Sequence, residues 1–103
     1  MAKKILQMNV KYHIPVEELV KYFEPMAKDE KYVNMEGLEW KIWLHNPANK
    51  TMGGIYLFKD EKFVNDYLNG KYVTGMKKHS GFSDMDCKVW DISAFTKLTR
   101  GPV

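Results

Sequence analysis

Most of the side chains equipped for chemistry in this sequence are aromatic: six tyrosines, three tryptophans and five phenylalanines, against three histidines and one cysteine. Tyr56 and Tyr67 carry hydroxyls at positions with the spacing of buried strand and helix residues. A buried phenol needs a hydrogen-bond partner, so the pair points either to a polar spot inside an apolar wall or to a structural bond. Trp40 and Phe58 would line the same cavity between sheet and helices, although rings at this spacing also serve to fill a core. His45, at a strand end beside Asn46 and Pro47, is either a solvated turn residue or a group that takes a substrate proton. His79 follows Lys77 and Lys78 as a helix-end cation, with haem ligation as its sharper alternative, and His13 lies in a turn. The lone Cys87 has apolar neighbours in alternation and reads as an inert core thiol. These four residues lack the short spacings of a ligand set, so the expectation is a site with no metal and no other cofactor.

The elements that must position these residues follow from two periods. From Lys3 to Tyr12 the chain alternates, with Leu6, Met8, Val10 and Tyr12 on one side, as a half-buried strand does. Pro15 opens a helical stripe through Val16, Leu19, Val20, Phe23, Met26 and Ala27 that keeps its phase across Pro25, predicting a kinked helix ending near Lys31. After Gly37, the set Leu38, Trp40, Ile42 and Leu44 alternates with Glu39, Lys41, Trp43 and His45, and the wholly apolar set is expected to face the helices. A turn at 45–50 leads to a third strand, Thr51 to Lys59. Its Gly53-Gly54 pair marks a bulge or a close approach to bare backbone by a ligand, a helix or a second subunit. Asp60 caps a second helix that Gly70 and Gly75 are expected to divide, and a last strand runs from Phe82 to Ile92.

This order is strand, helix, strand, strand, helix, strand: an α+β domain over residues 1–92, with 93–103 as a C-terminal arm. Two helices cover only one face of a four-stranded antiparallel sheet. Trp43 and Trp90 are expected on the other face with Gln7, Asn9, Lys41, His45 and Lys88, the mixture found at subunit contacts, so a homodimer with its sheets face to face is expected.

Composition narrows the function classes. The net charge of +3 arises from sixteen basic and thirteen acidic residues scattered along the chain, so no nucleic-acid partner is favoured. No apolar run approaches the roughly 20 residues of a membrane span, and no signal pattern opens the chain, which gives a cytoplasmic expectation with no membrane partner.

The run Gly37-Leu38-Glu39-Trp40-Lys41-Ile42-Trp43, then Gly53-Gly54-Ile55-Tyr56-Leu57-Phe58-Lys59-Asp60-Glu61 and Tyr67-Leu68, resembles the YdhR mono-oxygenase family. The likeness extends from Leu6-Gln7-Met8 through Pro25-Met26-Ala27 to Lys88-Val89-Trp90-Asp91. It implies a ferredoxin-like βαββαβ monomer and a dimeric α+β barrel. It further implies cofactor-independent oxygenation of a small aromatic or quinol-like molecule, with Tyr67 and His45 as catalytic candidates and Trp40, Tyr56 and Phe58 binding the substrate. Related quinol and antibiotic-biosynthesis oxygenases carry a histidine where this chain has Tyr67. The proton acceptor therefore stays open among a shifted Tyr67, His45, His79 and the substrate's own acidity. Dimeric barrels also host lactone or enol isomerases and non-catalytic binding or sensing proteins, which the same pocket would serve.

Overall fold

The computed structural model describes residues 2–103. Its elements are β1 (Lys4–Tyr12), α1 (Val16–Lys28), α2 (Glu30–Val33), β2 (Leu38–Asn46), β3 (Thr51–Phe58), α3 (Glu61–Leu68), α4 (Lys71–Lys78) and β4 (Phe82–Asp91). Short 3-10 turns occupy Pro47–Asn49 and Ala94–Thr99. The four strands form one antiparallel sheet in the order β2-β3-β1-β4, so each helical crossover returns the chain to a strand beyond its neighbour, the ferredoxin-like arrangement.

Alternation in β1 decides where the core sits. Leu6, Met8, Val10 and Tyr12 are buried beneath Leu19 and Phe23 of α1, Val64 and Tyr67 of α3, and Val73 and Met76 of α4. Burial of each such aliphatic side chain stabilises the fold by roughly 1.5–3 kcal/mol, which is why the amphipathic stripes dock on this side.

Both helical segments divide. The first continues through Pro25 and ends at Lys28, short of the expected end near Lys31. Asp29 turns extended and caps a new start, its carboxylate accepting from the Lys31 N–H, and the short α2 then drives Tyr32 into the core. The second breaks at Asn69-Gly70, while Gly75 stays inside α4.

Strand β2 departs from the expected phase. Leu38 pairs with Phe58 and Trp40 with Leu57, so two steps on β2 oppose one on β3 and Glu39 is an extra residue in the ladder. Beyond this bulge every side chain is turned over: Lys41 lies opposite Tyr56, Trp43 opposite Gly54 and His45 opposite Met52, all on the helix side. Trp40, Ile42 and Leu44 consequently face away from the helices, reversing the assignment made from apolar character alone. Trp43 accordingly packs against Phe23 and Tyr32, whereas Trp90 lies on the open face as expected, its indole N–H donating to Gln7.

A second bulge, at the positive-φ Asp84, interrupts the β1–β4 pairing. Cys87 is exposed on this edge strand, not a core thiol. Burial and the nearby Asp86 push its thiol pKa up, against a smaller lowering by Lys77, so it is not an activated nucleophile.

Candidate active site

Behind β2 the tyrosines form a chain. Tyr32 Oη lies 2.8 Å from Tyr67 Oη, which lies 3.0 Å from Tyr56 Oη, so the three hydroxyls come from α2, α3 and β3. At the open end, Lys41 Nζ sits 2.7 Å from Tyr32 Oη. The lysine is held in rings: Nζ is 3.2 Å from the centre of the Trp43 ring, 4.5 Å from that of Tyr56 and 5.0 Å from that of Tyr32. Among the described residues no carboxylate pairs with it. Glu39, two residues away, is bound to Lys3 at 2.9 Å.

Gly54 makes room for this arrangement. A Cβ there would meet Lys41 Cε at 2.7 Å, so the bare backbone anticipated from the glycine pair accommodates the lysine stem. Gly53, on the opposite face, lies against the Met8 carbonyl and the Asn9 side chain, and no register shift occurs at either glycine.

Electrostatics divide the chain's two ends. Burial pushes the phenols of Tyr32, Tyr56 and Tyr67 well above the ordinary tyrosine range, and the neighbouring phenols add to this. For Tyr67 this shift runs opposite to what proton abstraction requires. Burial acts in the other sense on Lys41, lowering its ammonium to about 7, while the ring faces offset part of the cost of keeping it charged.

Lys41, Trp43 and His45 occur at alternate positions on one face of β2 and border the gap between this edge strand and α1. A groove of about 210 Å³ is lined by Leu19, Val20, Phe23, Glu24, Ala27, Trp43, His45 and Met52. On the other side of Trp43 a recess of about 260 Å³ is lined by Ala27, Tyr32, Val33, Leu38, Glu39, Trp40, Lys41 and Trp43. Between sheet and helices proper, against Tyr56 and Tyr67, only about 10 Å³ is free. On the helix side of β2, open space therefore lies along the α1–β2 seam, while Tyr56, Phe58 and Tyr67 fill the core behind it.

The residues singled out from the sequence are brought together in part. Tyr56, Phe58 and Tyr67 form one aromatic cluster, with Phe58 centred 5.9 Å from each of the other two rings. His45 belongs to a separate contact, its Nε2 2.9 Å from Tyr12 Oη. Trp40 reaches only the rim of the recess. Lys41 and Tyr32 were missed, since the bulge hid the lysine's face and a short helix supplies the tyrosine. The legible signal was Lys41-x-Trp43-x-His45 at strand spacing beside a glycine pair. Among the described residues no group of three His, Cys, Asp or Glu side chains is arranged to hold a metal ion, and no helix is long and apolar enough to cross a membrane.

A four-stranded antiparallel sheet with helices on one face, and an aromatic seam at its edge, define a ferredoxin-like α+β protein of the type found among small mono-oxygenases. The fold is shared with a structural-genomics protein YjcS (TM-score 0.68, 12% identity, 89% of this chain and 100% of that one). It is shared also with the NE2512 protein of unknown function from Nitrosomonas europaea (TM-score 0.62, 17% identity, 89% and 91%). A third similar structure is described as a "Putative Antibiotic Biosythesis Monooxygenase" from Bacillus cereus (TM-score 0.62, 9% identity, 91% and 96%). The chain belongs to the family described as "Putative mono-oxygenase ydhR", whose model matches residues 5–102. No curated protein sequence matches it.

Proposed function

We propose that this protein is a mono-oxygenase acting, without metal or organic cofactor, on an aromatic molecule of quinol type held along the α1–β2 seam with a ring against Trp43. The observation that supports this reading best is an apolar groove whose aromatic wall lies between two proton-handling side chains, Lys41 and His45. In such a reaction the substrate loses a proton, and its anion passes an electron to dioxygen. The two radicals join at carbon, and the hydroperoxide so formed loses water. One oxygen atom stays in the product carbonyl and the other leaves as water.

The chain's own residues bind the ring, exclude water and hold the proton. Tyr67 acts as a positioning residue, keeping Tyr32 against Lys41, with Tyr56 and Phe58 supporting it from behind; His45 serves the far end of the groove and Trp40 the rim of the recess. Oxygen uptake with a panel of hydroquinones and anthrones, under air and under argon, tests the reading. Protein-dependent uptake is expected, with one atom of labelled dioxygen in the product. Uptake unchanged when the protein is omitted would discard it.

The open face of the sheet supports a second element of the reading, a homodimer. Ile42 and Trp90 are 50% and 52% exposed there, beside Trp40, Leu44 and Ile55, a surface too apolar for a lone subunit. Pairing of two such faces would close a barrel and leave the α1–β2 seam accessible from outside the contact.

A further inference from the structure

Lys41 stands at the end of a hydrogen-bonded line of phenols that can accept either of its protonation states. The line has four members, Lys41, Tyr32, Tyr67 and Tyr56, joined by three contacts of 2.7, 2.8 and 3.0 Å. If Lys41 is an ammonium, it donates to Tyr32, Tyr32 to Tyr67 and Tyr67 to Tyr56. The buried Tyr56 hydroxyl then turns to Tyr32, which is also within its hydrogen-bonding reach, so the three phenols close a ring. If Lys41 is a free amine, the line reverses: Tyr56 donates to Tyr67, Tyr67 to Tyr32, and Tyr32 to the amine lone pair. All three hydroxyl protons are then used. The hydroxyls are thus satisfied with Lys41 in either state, and the line tolerates a proton gained or lost at Nζ.

The surroundings, by contrast, favour the neutral amine. A cation at this position has three ring faces and, among the described residues, no counter-ion: the groups facing it are Trp43 from β2, Tyr32 from α2 and Tyr56 from β3, with Tyr67 from α3 behind Tyr32. Tyr72 of α4 meets Tyr32 edge-on from behind. The nearby carboxylates are Glu39, bound to Lys3, and Glu24, which lines the groove beyond Trp43. A recess opens beside this amine; besides Glu39, whose carboxylate is held by Lys3, its remaining lining is Ala27, Val33, Leu38, Trp40 and Trp43.

We infer that this recess is a binding site for the acidic group of a small aromatic acid, a phenol, an enol or a carboxylic acid, and that Lys41 receives it as an ion pair. With a phenol or enol the O–H bond breaks, its proton goes to Lys41 Nζ, and the electron pair stays on oxygen as the bound anion. With a carboxylate, already ionised, Lys41 takes its proton from solvent. In both cases the ammonium acquires the counter-ion that the fold withholds, and Trp43 stacks on the ring. The inference names the substrate class of the proposed site, yet binding and proton uptake do not depend on oxygen chemistry.

Calorimetry with 2-naphthoate, 2-naphthol and naphthalene, in buffers of different ionisation enthalpy at about pH 8, separates the possibilities, since Lys41 is then largely neutral. Naphthoate should bind with uptake of nearly one proton. Naphthol should bind with almost no net uptake, while its absorbance moves to that of the naphtholate. Lys41→Met should weaken both acids at least about tenfold and leave naphthalene unchanged. Lys41→Arg, charged throughout, should hold naphthoate without proton uptake. Circular dichroism checks that both variants fold. Equal affinity for the acids in the wild type and Lys41→Met, or binding without the proton signature, would overturn the inference. Acid binding without oxygen uptake would remove the oxygenase reading alone, and oxygen uptake that survives Lys41→Met would remove the Lys41 site alone.

Discussion

An ammonium group that surrenders most of its hydration needs a carboxylate or must be able to become neutral, and Lys41 has only the second course. Its presence therefore costs the fold stability. Folding lowers its pKa from 10.5 to about 7, so between those values the unfolded chain binds more protons than the native one. The Lys41 contribution to stability accordingly rises with pH from about 7 to about 10.5; below that window both states are protonated and the full penalty of burying the charge is present. Lys41→Met should be more stable than wild type at neutral pH, on the order of a few kcal/mol, with the gap narrowing as pH rises. Urea unfolding of both proteins at several pH values measures this; a gap independent of pH would count against the lysine's lowered pKa. Tyr67→Phe acts in the opposite direction. It removes the hydroxyl between Tyr32 and Tyr56, leaving Tyr32 its contact with Lys41 and depriving buried Tyr56 of its Tyr67 partner, and should destabilise by about 1–3 kcal/mol. If stability is unchanged while turnover falls, Tyr67 touches substrate and is more than a positioning residue.

Among the elements, β2 decides what the site contains. One extra residue at Glu39 turns Lys41, Trp43 and His45 toward α1 and sends Trp40, Ile42 and Leu44 to the open face. Apolar alternation cannot detect this, because both sets contain a tryptophan and the bulge costs only one ladder position. The short α2 has a comparable effect: without the Asp29 restart, Tyr32 would not reach the core. Strand β3 contributes by omission at Gly54. Gly54→Ala would press a methyl against the Lys41 stem, which is flexible and can move, so the fold should persist with a loss of about 1–2 kcal/mol. Displacing the stem draws Nζ away from Tyr32 and toward water. The Lys41 pKa, followed by carbon NMR of labelled lysine, should rise toward 10.5; an unmoved titration would mean the glycine has another purpose.

At the scale of the molecule the two faces of the sheet have different tasks. One is closed by four helices around an aromatic and aliphatic core. The other carries Leu57, which is only 2% exposed though it lies outside that core, together with exposed Ile42 and Trp90. Light scattering at micromolar concentration should therefore give twice the 12.1 kDa chain mass. Ile42→Lys with Trp90→Lys should return it to the monomer with its helical content intact. A wild-type monomer would contradict the paired-sheet arrangement. Phe95 and Leu98, 76% and 80% exposed on the C-terminal turn, are further apolar surface that such an assembly can cover.

The order of elements, the divided second helix, the core side of β1 and the family were legible in the sequence, because alternation, helical stripes, caps and glycines act over a few neighbouring residues. The face of Lys41, the exposure of Cys87, the line of tyrosine hydroxyls and the position of the open space along the α1–β2 seam were decided only by tertiary structure. Each depends on which strand lies at an edge and on how many residues oppose one another across a ladder. Those are relations between segments far apart in the chain, and a one-residue difference in pairing inverts a strand without altering the composition from which its period is read.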